Sequence, residues 1–173
     1  MRMQKTERET MTFTPDTALA VAAHELGHGV VAAWSGARLD RVELVLGGRR
    51  TAPTAAIGLC RYSSESFATD EAERAICAAG TAAEAVYRHG PRPTSAQLWH
   101  LLTTKNTRDY RALTQLCHAR GQNPMGALTE VLPLVLANWT QIATLAAQLH
   151  RDGEVGSADV SAALGMTPAA RAA

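Results

Sequence analysis

Near the start of the chain, His24, Glu25 and His28 carry side chains that can bind a metal and move a proton. They lie in the run His24-Glu25-Leu26-Gly27-His28. The pattern H-E-x-x-H acquires chemical meaning on a helix. There, residues four apart stand one turn above each other on the same face, so both imidazoles can aim at one point. Zn²⁺ suits such a pair, because it takes imidazole nitrogens together with a carboxylate and leaves a position open. Glu25 is turned about 100° from His24. That puts a carboxylate beside the metal rather than on it, where it can accept a proton from a water.

The flanks predict the helix that this geometry needs. Thr14-Pro15-Asp16 offers a capping hydroxyl, a proline at the first helical position and an acid in the first turn. Ala22, Ala23, Leu26, Val30 and Val31 surround the polar trio with small or apolar side chains. The helix is expected from about Pro15 to Trp34, with a stop at Ser35-Gly36. The stretch is apolar enough to resemble a short membrane span, but the ionisable trio at its centre makes insertion expensive. The expectation is a soluble, cytoplasmic protein.

A zinc site that keeps a water needs a third protein ligand. The metzincin extension of this motif would require Gly at position 31 and His at position 34, where the chain has Val31 and Trp34. The third ligand must therefore come from another element. Glu71, Glu73, Glu84, His100, Asp109 and His118 are the candidates. Asp109 precedes Leu113 by four residues and Leu116 by seven, so on a helix it borders the apolar stripe.

Composition limits the alternatives. The chain has 173 residues, 46% of them hydrophobic and 19% charged, consistent with one domain and a substantial core. A formal net charge of +1 supplies no basic field to recruit nucleic acid. Cys60, Cys77 and Cys117 are odd in number and widely spaced, with no C-x-x-C. Reduced thiols, rather than a disulfide framework or a cysteine zinc site, are expected. Residues 1–12 read as a flexible tail, 13–166 as the single domain and 167–173 as a second flexible tail.

Arg41 to Leu46 alternates, with Val42, Leu44 and Leu46 on one side, which predicts a strand. Gly47-Gly48 breaks it, Arg49 to Pro53 reads as a polar loop, and Ala56 to Tyr62 is a second short strand. One of the two, Val42 to Leu46 or Ala56 to Tyr62, is expected to offer an open edge beside the metal, to which an extended peptide could add. Thr69-Asp70-Glu71 opens a helix that runs to about Tyr87, with Ile76, Ala79, Gly80, Ala83 and Tyr87 as its stripe. Its small residues fit it for close packing on the first helix. Ser95 to Leu102 and Thr107 to Arg120 read as further helices. Met125 to His150 reads as one long helix that Pro133 kinks or starts. Ser157-Ala158-Asp159 caps a short last helix to Leu164.

Taken together, these segments resemble the peptidase domain of the FtsH family of zinc metalloproteases. His24-Glu25-Leu26-Gly27-His28-Gly29 is similar to that family's H-E-A-G-H-A, and Gly80-Thr81-Ala82-Ala83-Glu84 to its G-R-A-A-E. Thr107-Arg108-Asp109 followed by Ala112 is similar to S-N-D-L-x-x-A. The layout of Val42 to Tyr62, and the end with Asn138-Trp139, Leu145-Ala146 and Leu149, also resemble the family's. Thr81 stands where the family has Arg, and Arg108 where it has Asn. No G-x-x-x-x-G-K-[ST] occurs, so the resemblance is to a free-standing form without the ATPase module. It covers roughly residues 15 to 165.

The resemblance implies a mainly α fold with a small β-sheet or hairpin, zincin-like and built on the H-E-x-x-H helix. It implies zinc held by His24, His28 and Asp109, with Glu25 catalytic. Glu84 is then a residue supporting the ligands, or an alternative ligand. The expected activity is ATP-independent hydrolysis of peptide bonds in flexible or unfolded polypeptide, with neither nucleic acid nor membrane as partner. Two other readings stay open: a regulatory protease that cuts one partner, and a catalytically silent metal-binding module.

Overall fold

A computed structural model describes residues 17–46, 56–63 and 69–166. Within them the chain is mainly α, with a small antiparallel sheet packed on one side of the helices. The proposed cap at Thr14-Pro15-Asp16, the loop over Arg49 to Pro53 and both tails lie outside the described residues.

Helix α1 (Thr17–Trp34) is the hub. Its buried residues run almost without a gap from Ala20 to Ala32, so it is covered on every side rather than along one stripe. Gly36, at φ 78°, turns the chain out of the helix into β1 (Arg38–Leu46). Strand β1 pairs antiparallel with β2 (Ala56–Ser63), Val42 opposite Cys60 and Leu44 opposite Gly58. Val42 and Leu44 face the core, while Val45 is 64% exposed, as the alternation predicts.

Helix α2 (Asp70–His89) starts as expected, Thr69 Oγ1 accepting from the Ala72 amide at 3.3 Å. It lies along α1, and the two approach closely because glycines sit at the crossing. A Cβ on Gly27 would fall 2.6 Å from the Ala79 carbonyl oxygen and 2.7 Å from the Ala83 Cβ. Helices α3 (Ser95–Thr104) and α4 (Thr107–His118) follow on the outer side of α2.

Two sequence expectations need correction here. Met125 to His150 is not one helix, and Pro133 is not where it breaks. Helix α5 (Pro124–Ala137) carries Pro133 in its interior, and α6 (Trp139–Asp152) begins after Asn138. Asn138 makes the break: its side-chain amide donates to the Leu134 carbonyl at 2.9 Å, and its Oδ1 accepts from Trp34 Nε1 at 3.2 Å. Such a side chain satisfies backbone and neighbour outside helical geometry. The second correction concerns the sheet. After Gly153, at φ 81°, a third strand β3 (Glu154–Gly156) pairs with β1 on the side away from β2, Val155 opposite Val42. Strand β1 is therefore central, and Arg41 to Glu43 offers no open edge. The outer edge of β2 has no partner strand among the described residues. Helix α7 (Ser157–Ala163) closes the domain, Asp159 Oδ2 accepting from the Gly156 amide at 3.0 Å.

Among the described residues, no helix is long and apolar enough to cross a membrane.

Candidate metal centre

His24 and His28 lie one turn apart on α1, both about 8% exposed, and face α2 and α4. Asp109, in the first turn of α4, reaches between them. Its Oδ2 is 2.9 Å from His24 Nε2 and 3.4 Å from His28 Nε2, and the two Nε2 atoms are 3.0 Å apart. Donors about 2.0–2.1 Å from a tetrahedral ion stand roughly 3.3 Å from one another. The triangle of His24, His28 and Asp109 has close to that size, so its donor set and spacing fit a zinc ion.

The surroundings prepare each donor. His28 Nδ1–H donates to the Ile76 carbonyl at 2.7 Å, which leaves the Nε2 lone pair for a metal. His24 Nδ1 faces Glu84 Oε2 at 3.5 Å, too long for a good hydrogen bond, and this buried nitrogen makes no other. Glu84 is itself held. Its Oε1 accepts from Arg88 Nε at 2.7 Å and its Oε2 from Asn106 Nδ2 at 3.0 Å. Asn106 Nδ2 also donates to Thr81 Oγ1 at 3.1 Å. Glu84 thus stands behind His24, on the Nδ1 side, and is not in the donor triangle.

The electrostatics ask for a cation at the same point. Burial works against charge on His24, but the hydrogen bond and charge of Asp109, with the nearby carboxylates of Glu84 and Glu25, outweigh it and hold the imidazolium up to about 10. Burial likewise opposes charge on Asp109, and the two imidazoles overcome it, keeping the carboxylate well below its usual range. For Glu84, burial is outweighed by His24, Asn106 and Arg88, which bring it down to about 2. A divalent ion would meet the same demand in place of the proton.

Glu25 borders the triangle on α1 and is half-buried. Among the described residues, no hydrogen bond or ion pair engages its carboxylate. Strand β2 passes directly over it: a Cβ at Gly58 would come within 2.7 Å of Glu25 Oε1. Gly80 plays the matching part on α2, where a Cβ would overlap the His28 ring and lie 2.8 Å from His24 Nε2. A cleft of about 290 Å³ opens against His24 and Glu25, between the first turns of α1, the end of α2 and the α3–α4 connection.

Compared with models of known protein families and with curated proteins, the chain matches none.

The structure thus brings together His24, His28 and Asp109, sets Glu25 beside them and Glu84 behind. Glu71, Glu73, His100 and His118 are not in the triangle. Sequence reasoning missed Asn106, which fixes Glu84, and Gly58 and Gly80, which make room for the site. Gly80 carried a signal, as a glycine inside a helical stripe whose presence needs a packing reason. Asn106 carried none, because its partners are 22 and 25 residues away in sequence.

Proposed function

We propose that the chain is a zinc-dependent metalloendopeptidase acting on flexible polypeptide without ATP. The observation that carries the reading is the donor triangle of His24, His28 and Asp109 with the unengaged Glu25 carboxylate at its side. His24, His28 and Asp109 would hold the metal. Bound zinc supplies Lewis acidity there, polarising a scissile carbonyl and lowering the pKa of a water towards about 7.

The chain's own residues do the rest. Glu25 accepts the water's proton and returns it to the departing amine nitrogen, first base and then acid. The water oxygen joins the carbonyl carbon first, and the peptide C–N bond then breaks as its nitrogen takes the proton from Glu25. Glu84, fixed by Arg88 and Asn106, keeps the His24 ring turned towards the site. The open edge of β2 runs over Glu25, so an extended peptide could add there by main-chain hydrogen bonds, with little demand on its sequence.

Glu25→Gln tests the reading. Glu25 is outside the donor triangle, so the variant should bind zinc at the wild-type ratio and lose peptide cleavage by roughly 10²-fold or more. ATP should change neither rate. Equal cleavage by wild type and variant, or none by either across metals and pH, would sink the proposal.

A further inference from the structure

The cleft beside His24 and Glu25 is lined by two acids, Glu25 at its metal end and Glu84, and by two bases, Arg88 and Lys105. Glu84 and Arg88 line it but neutralise each other through the 2.7 Å Oε1–Nε contact, and Glu84 is only 4% exposed. Lys105, at the end of α3, also lines it, is exposed, and has no ion-pair partner among the described residues. A lysine on a flexible stem can follow a ligand group over several ångströms. From Arg88 to Arg120 the sequence carries six lysines and arginines against one acid, Asp109, and of the six Arg88 is paired with Glu84 and Arg120 with Asp70, which leaves Arg92, Lys105, Arg108 and Arg111. Asp109 is turned into the donor triangle, so that acid does not offset the outer face.

We propose that this cleft is a substrate subsite for a carboxylate, with Lys105 as its charge partner. The carboxylate would be that of an acidic residue near the scissile bond or the free terminus of the peptide. The proposal rests on the peptidase reading for its substrate class. A positively charged side chain in the same place would meet Lys105 at close range and be rejected. The exposed ammonium also gives the cleft a longer reach in low salt than in high salt.

The test is a set of flexible peptides in which each position in turn carries Glu, Gln or Lys, made with free and with amidated C-termini. They are cleaved by the zinc-loaded protein and the products mapped by mass. At one position the Glu peptide should be cut about fivefold faster than the Gln peptide, the scale of one partly exposed ion pair. If the terminal carboxylate is the ligand, the difference follows amidation instead. Lys105→Glu should reverse the order, so that Lys peptides become the better ones. Arg111→Glu, which makes the same change in net charge outside the cleft, should leave the order as it was. Equal rates for Glu, Gln and Lys peptides at every position, with no effect of amidation, would overturn the subsite and leave the peptidase standing. If no peptide is cut, the peptidase reading fails on its own, and binding decides the cleft. The same peptides, fluorescently labelled, are titrated with zinc-loaded Glu25→Gln. A preference for carboxylate peptides that disappears in Glu25→Gln with Lys105→Glu supports the subsite. Equal affinity for Glu and Lys peptides overturns it.

Discussion

Helices α1 and α2 meet through small residues and bury nearly every side chain along their contact, whereas α3 and α4 lie at the rim with exposed polar faces, charged on α4. The first pair supplies His24, His28, Gly80 and Glu84. The second supplies Asp109, Asn106 and the cleft lysine, with only Leu98, Leu101, Leu102, Leu113 and Cys117 as buried anchors. The donor triangle is therefore two-thirds preset in a packed core and completed from outside. A close-packed interior holds its side chains to one arrangement, while an edge element with few anchors opens at lower cost. One consequence is that a metal ion at this point would tie the rim to the core.

The largest effect should come from cutting that tie. Asp109→Ala removes a donor and should weaken zinc binding by roughly 100-fold or more, beyond the cost of losing a group that only supports a ligand, measured by competition with a chromophoric chelator. Glu84→Ala removes only the group behind His24 and should cost roughly 10- to 100-fold. The opposite order would transfer the third ligand to α2 and erase the contrast between core and rim.

Two glycines sharpen the contrast within the core. Gly27→Ala puts a methyl 2.6 Å from the Ala79 carbonyl oxygen, where neither helix can yield without parting. It should lower stability by about 1–3 kcal/mol, read as a fall in melting temperature of roughly 2–4 °C per kcal/mol. Gly80→Ala instead directs its methyl at the imidazoles, and should lower zinc affinity more than it lowers the melting temperature of the metal-free protein. If both variants behaved alike, packing and metal binding would be one property of the α1–α2 contact rather than two.

The parts legible in the sequence are those decided over short stretches. The H-E-x-x-H helix, the β1–β2 alternation and the Thr69 cap each depend on residues within a few positions. What stayed hidden depends on partners far along the chain. Strand β3 has only three residues and becomes a strand because Val155 meets Val42. Asn138 breaks the α5–α6 run where the proline drew attention, because Trp34 and Leu134 both bond its side chain. Asp109 was legible as a candidate from its place beside Leu113 and Leu116. That it, and not Glu84, touches both Nε2 atoms is fixed by how α4 docks on α2, which no local pattern records.

The smallest expected effect separates rim from core without any substitution. Cys77 lies on α2 and Cys117 on α4, so each reports on one side of the comparison. Burial, with the negative charges of Asp109 and Glu73, pushes the Cys77 thiol up to about 12. Burial also raises Cys117, which has no exposed surface. A raised thiol pKa leaves less thiolate at any given pH, and the thiolate is the species that alkylates. Both cysteines should therefore react slowly with iodoacetamide at pH 8 in the zinc-loaded protein, and quickly after unfolding. Chelating the metal leaves Asp109 only its direct contacts with His24 and His28 as a link to α1, and leaves the α1–α2 packing untouched. Opening of α4 then becomes easier by the share of binding energy that had opposed it. Cys117 should label faster, by up to about tenfold, while Cys77 keeps its rate, with the sites resolved by peptide mass. Equal acceleration at both would mean that the core depends on the metal as much as the rim does. No acceleration at Cys117 would mean that α4 is held by Leu113 and its neighbours alone, and that Asp109 does not tie the rim to the core.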